Sequence, residues 1–155
     1  MTITLLRNFL LICTATFGLS IIFNIKGRNL FFSALGAGMT WLAYSLASGT
    51  EGFTMYAVFI GSLTAGVYSE AMARIRKAPV TIFVIGSIIP LVPGLKMIDT
   101  MLEVLKGNTD TAISLGVTTI ITAGLIAVGI FVVSSSFRLA AVLNKAIFKK
   151  QKTSA

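Results

Sequence analysis

Only five acidic residues occur in the 155-residue chain, against thirteen lysines and arginines, so the few that could do chemistry are easily located. Lys96, Asp99, Glu103 and Lys106 fall on one side of a helical period that begins just after Pro90-Leu91-Val92-Pro93-Gly94. Glu70 stands apart, at the end of an uncharged run. The chain has no histidine, which excludes a Ser-His-Asp triad, a Cys-His pair and a histidine metal site. Gly61 and Gly66 are spaced as in a phosphate loop, but Val67 stands where the loop needs lysine. No enzyme activity, no metal and no cofactor are therefore expected. What remains is the non-covalent capture of a small ionised ligand by charged side chains and helix ends.

The elements that must position these groups are membrane helices. Hydrophobic residues make up 55% of the chain and charged residues 12%, about half the charged share of an ordinary soluble domain. Five stretches carry no charge at all: 8–25, 29–50, 52–69, 78–95 and 111–137. Each is close to the ~20 residues that cross a bilayer. The expected fold is an all-α, polytopic helical bundle of about five transmembrane helices, alternatively four, one of them broken by proline. Residues 1–136 are expected to form one transmembrane domain and 137–155 a basic, amphipathic cytoplasmic tail, with Arg138, Lys145 and Lys149 on one face.

Pro90 and Pro93 lack amide hydrogens and clash with the preceding turn, so a helix arriving from Val80 must stop or kink. Gly94 eases the turn. In hydrocarbon such a break persists only where protein covers it or where it lines a wet cavity. Discontinuous helices in membranes tend to hold small solutes, although proline kinks also serve packing alone. For the following helix two readings stay open. Its charged stripe lies among headgroups, or it lines a vestibule whose helix amino terminus and Lys96 meet a carboxylate. Glu70 likewise has two readings, a functional intramembrane carboxylate or an interfacial partner of Arg74 one turn on.

Helix packing is expected from small residues four apart: Ala57, Gly61, Ala65 and Ser69 in the third stretch, and Ala34 and Gly38 in the second. Thr111, Ser114, Thr118 and Thr122 share a face of the last stretch, either lining a polar path or bonding carbonyls of their own helix. The net charge of +8 does not point to nucleic acid, because the basic residues punctuate hydrophobic helices. Ten of the thirteen, at 26–28, 74–77 and 138–152, would share one side if these three groups lie together. The other side would hold Arg7, Lys96 and Lys106 with Glu51, Asp99, Glu103 and Asp110. The positive-inside rule then puts the amino terminus out and the carboxyl terminus in, and the basic charge meets anionic membrane lipid. One cysteine, Cys13, allows no internal disulfide.

Phe23-Asn24, then Ser69-Glu70 with Ala73-Arg74, Lys77 and Pro79, then Ile88 through Gly94, occur in an order that resembles the threonine/serine exporter family. The resemblance runs from Thr16 to Val132 and is most specific at Pro-Leu-Val-Pro-Gly. It matches the small membrane subunit corresponding to the carboxyl-terminal half of fused exporters. It implies a larger, separately encoded partner subunit in a bacterial inner membrane, and gradient-driven export of a small carboxylate-bearing substrate, either amino acids such as threonine and serine or dicarboxylates such as succinate. A homo-oligomer is also possible. Pro90, Pro93, Gly94, Lys96, Asp99 and Glu70 are the candidate pathway residues. Lys26 stands where relatives often have proline, and Lys96-Met97 where glycine and an aromatic residue are common. A rival expectation is a scaffold subunit whose small-residue grooves hold the larger partner.

Overall fold

Charge-free sequence becomes helix almost throughout. The computed structural model describes residues 2–49 and 55–153, with backbone alone for Thr2 and for 144–153. The helices are α1 (Thr2–Ile22), α2 (Arg28–Ser48), α3 (Met55–Arg76), α4 (Val80–Ile88), α5 (Gly94–Leu105) and α6 (Thr109–Thr153), with a 3-10 turn at Ile89–Leu91 between α4 and α5. There is no strand among the described residues. Glu51 and the faces expected of Lys145 and Lys149 lie outside what is described.

Among the described residues, Ile3–Ile22, Arg28–Ser48 and Thr109–Leu143 are long and apolar enough to cross a membrane. Val80–Leu91 and Gly94–Leu105, bent by 52° at their junction, make a fourth such element if they form one span. The remaining expected crossing, α3, has the length at 22 residues but falls short in apolarity. Its glycines, serines and Glu70 dilute it, and the same residues are buried against neighbouring helices. With α2 it is an inner helix of the bundle, packed on α2, α4 and α6. Its polar groups are thereby kept from lipid.

Helix ends are set by local backbone chemistry. Lys77 adopts a φ of 50° after α3, and the Ala78 amide reaches back to Ala73 O at 3.1 Å. This is the six-to-one closure that usually takes glycine. Gly107 does the same after α5 at a φ of 81°, with the Asn108 amide on Glu103 O at 3.0 Å. Pro79 follows the first of these closures and Asn108 begins the turn into α6.

Small residues let the backbones approach. Ala57, Gly61, Ala65 and Ser69 are all buried on α3, as are Ala34 and Gly38 on α2. A β-carbon on Gly66 would stand 2.9 Å from Val133 Cβ, and one on Gly38 would run into Phe9 and Cys13. Serines cross the same contacts: Ser33 Oγ donates to Ile82 O at 3.3 Å, and Ser62 Oγ lies 3.4 Å from Leu125 O.

The contacts also give directions. Ser62 meets Leu125 and Arg74 Nη2 donates to Phe137 O at 3.4 Å, so α3 and α6 run parallel. On that register α6 begins about nine residues, or roughly 14 Å, ahead of the level of Met55. The helix then passes Ser134 and Phe137 without interruption. Basic groups gather at one end: Arg76 Nε donates to Asn29 Oδ1 at 3.2 Å beside Arg28, and Arg74 reaches Phe137 beside Arg138. Both guanidinium groups also sit over rings, Arg74 over Phe137 at 4.8 Å and Arg76 over Phe32 at 5.2 Å.

Candidate functional site

The prolines do break the helix, and the chain mends much of the damage itself. Pro90 cannot serve Gly86 O, and the Ile89 amide takes that carbonyl instead. Pro93 cannot serve Ile89 O, and the Val92 amide takes it at 3.3 Å. Tightening to the 3-10 pattern thus satisfies two carbonyls that an α-helix would have orphaned. The Gly94 amide then turns back to Val92 O at 2.8 Å across Pro93, which holds φ −78° and ψ 50°. That is an inverse γ-turn, and it redirects the chain into α5. Gly94 has no atom within 4 Å of where a β-carbon would point.

Beside the break lies a hollow of about 180 Å³ lined by Tyr44, Val58 and the whole run from Pro90 to Lys96. Three elements hold it open. Tyr44 comes from α2, Val58 from α3, and Leu91 seats the break against Gly61, whose β-carbon position is 3.0 Å from Leu91 Cδ2. Val58, Leu91 and Ile126 form a small buried core under it, with Tyr44 and Ile88 packed alongside. The amino terminus of α5 opens at this hollow, so that helix end and Lys96 stand on one wall. The arrangement suits a small anion.

The orientation of α5 is inverted relative to a helix lying on a surface. Beyond Gly94, its half-buried residues are Lys96, Thr100 and Glu103, while Leu95, Ile98, Met101, Leu102 and Leu105 are exposed, as is Asp99. α5 packs on α6, where a β-carbon on Gly116 would touch Thr100 Cγ2 at 3.5 Å. Polar groups turned inward and leucines turned outward suit a helix whose solvent is hydrocarbon.

The candidate charges do not form one cluster. Lys96 lines the hollow, whereas Asp99 is exposed and does not. Glu103 accepts Lys106 Nζ and Asn108 Nδ2, both at 2.7 Å, so it fastens the α5–α6 turn. Its carboxylate holds the exposed Lys106 ammonium above the ordinary lysine range. Glu70 is 8% exposed and lies 3.9 Å from Arg74 Nη2. It stands nine residues beyond Gly61 on α3, roughly 14 Å from the break along the helix axis.

Hydroxyls of the last crossing bond their own helix: Thr118 Oγ1 to Ser114 O at 2.9 Å and Thr122 Oγ1 to Thr118 O at 2.7 Å. They offer no polar path of their own. Tyr44 and Val58 are site residues that sequence periodicity does not single out, because their roles depend on α2 and α3 packing against the break. Among the described residues, no group of three or more His, Cys, Asp and Glu side chains is placed to hold a metal ion.

A family model described as Threonine/Serine exporter, ThrE, matches residues 8–136. No curated protein and no solved structure matches the chain.

Proposed function

The chain belongs to the threonine/serine exporter family, and from that premise we propose that it is one subunit of a two-component secondary exporter. In this reading it works with a larger, separately encoded subunit, moves small carboxylate-bearing metabolites of the threonine, serine or succinate type, and draws on an ion gradient. Membrane embedding and exporter-type transport follow from the family and the apolar helices. The two-part assembly, the substrate and the driving gradient are the proposal.

One observation carries it. The interrupted helix lines a hollow whose wall presents the amino terminus of α5 and Lys96. A carboxylate entering there gains the partial positive charge of a helix end and the charge of an ammonium. Pro90, Pro93 and Gly94 shape the wall, Lys96 supplies charge, and Asp99 stands a turn outward. Glu70 stands at the opposite end, paired with Arg74 of its own helix, which in turn reaches α6. With basic groups collected at that end, the inner membrane orientation is amino terminus out and carboxyl terminus in, the tail at 137–155 meeting anionic lipid.

The scaffold reading needs small-residue grooves left for a partner. Gly61 and Gly66 are instead spent inside this chain, on Leu91 and Val133, which favours transport. The test is reconstitution of the chain in liposomes, alone and with the larger subunit, followed by counterflow of labelled serine, threonine and succinate. Counterflow that requires both subunits is the expected result. Full transport by the larger subunit alone removes the proposal.

A further inference from the structure

Serine and threonine in this chain have a common habit. Thr14, Thr64, Ser69, Thr100, Thr118, Thr119, Thr122 and Ser136 each donate to the carbonyl four residues back in their own helix. Four buried hydroxyls have no hydrogen-bond partner among the described residues: Thr16 on α1, Thr40 on α2 and Ser87 on α4, each 0% exposed, and Ser48 at the end of α2, 6% exposed. Burying a hydroxyl without a partner costs roughly 1–3 kcal/mol.

Helix spacing puts Thr16, Thr40 and Ser87 within about one turn of one another along the bundle, a level termed the layer. Ser87 Oγ crowds the β-carbon position of Gly36, one turn before Thr40 on α2. Thr40 is two turns beyond Ser33 on the same face of α2, and Ser33 bonds α4 at Ile82 O. Thr16 is one turn before Ser20, whose Oγ is 3.5 Å from Ser33 Oγ. The layer adjoins the hollow at the break. Tyr44 lies one turn above Thr40 and Leu91 one turn above Ser87, and both line it.

We infer that this layer is a hydration site, in which water reaching the hollow continues downward and bonds Thr16, Thr40 and Ser87. A buried water typically makes about three hydrogen bonds, and three inward hydroxyls from three helices provide them. Below, Ser20 and Ser33 extend the polar column toward Asn29 and the basic end. Ala37 and Phe83 nearby are apolar and fully buried, and the Tyr68 ring beside Gly36 sends its hydroxyl to Phe32 O at 2.7 Å. Water is the ligand that fits: there is no carboxylate for a metal ion, and Lys96 on the far side of the break disfavours a second cation. For transport, the column would carry water to the break from the basic end. That consequence rests on the exporter reading, whereas the hydration does not.

Phe83 reports on the layer, because it is 0% exposed and one turn below Ser87 on α4. X-ray radiolytic footprinting of the purified protein makes hydroxyl radicals from bound water. Phe83 is expected to be oxidised despite its burial, and at least several-fold less in a Thr40→Val, Ser87→Ala double variant. An unmodified Phe83 in the wild-type chain overturns the inference, and this holds even if the double variant does not fold. Melting of each single variant gives a second reading: removal of a water-bonded hydroxyl lowers Tm, while an unchanged or higher Tm overturns the site. A dry Phe83 in a complex that still exports removes the hydration and leaves the exporter standing.

Discussion

Gly61 of α3 and Leu91 of the broken helix are in direct contact, and a β-carbon on Gly61 would lie 3.0 Å from Leu91 Cδ2, 3.2 Å from Leu91 Cδ1 and 3.4 Å from Tyr44 Cβ. Leu91 is buried, in the core shared with Val58 and Ile126. The break is therefore held in place by a glycine on the helix that precedes it in sequence. Gly61→Ala asks only the end of a leucine to move and is expected to cost little. Gly61→Val overpacks the contact and is expected to lose about 1–3 kcal/mol, read as a lower Tm in detergent and as reduced export.

Lys96 lines the hollow and Asp99 does not, so the two neutral variants should separate. Lys96→Gln removes the cation facing the site and is expected to lower export more than tenfold while protein in the membrane stays near the wild-type level. Asp99→Asn, at an exposed position, is expected to change export less than threefold. Quantitative blots alongside labelled-substrate efflux decide it. Equal loss in both variants would place the decisive charge elsewhere on α5.

Pro93 makes the inverse γ-turn that sends the chain into α5. Pro93→Ala restores an amide that Ile89 O can accept and allows the 52° bend to relax toward a continuous helix. Export is expected to fall while Tm holds or rises, because a backbone hydrogen bond is regained as the hollow closes. A fall in both would mean that the proline serves packing only.

Glu70→Gln tests the opposite end. Its partner Arg74 is half exposed, 3.9 Å away, and also bonds Phe137 O. The pair is expected to contribute under about 1 kcal/mol after solvent screening, and the variant is expected to export at near the wild-type rate. Abolished export with an unchanged Tm would make Glu70 part of the pathway.

The helices are legible in the sequence because charge is so unevenly spread. Uncharged runs end at Lys26, Glu70 and Arg138, and hydrocarbon leaves the backbone little choice but helix. The break is legible for the same kind of reason, since Pro90, Pro93 and Gly94 act on the backbone locally. The direction in which α5 turns its faces is not. Periodicity separates Lys96, Thr100 and Glu103 from Leu95, Ile98 and Leu102, but which stripe meets protein depends on α6, and outward leucines would be the wrong answer in water. Thr40 and Ser87 share the difficulty. Each is an ordinary hydroxyl in an apolar run, and only the packing of α2 on α4 brings them into one layer. The apolarity of α3 is the reverse case, where a charge-free run proves less greasy than its neighbours because small polar residues bring the helices together.

The unbroken α6 sets a mechanical condition on the whole subunit. Its 45 residues make a rod of roughly 68 Å at 1.5 Å per residue, more than twice the ~30 Å of a hydrocarbon layer. No ordinary tilt, at most about 40°, hides that length, so the rod must emerge from the bilayer. A displacement applied to α5 at one tip is then felt at the other as rigid leaning, and whatever grips the far end can lever the hollow without touching it.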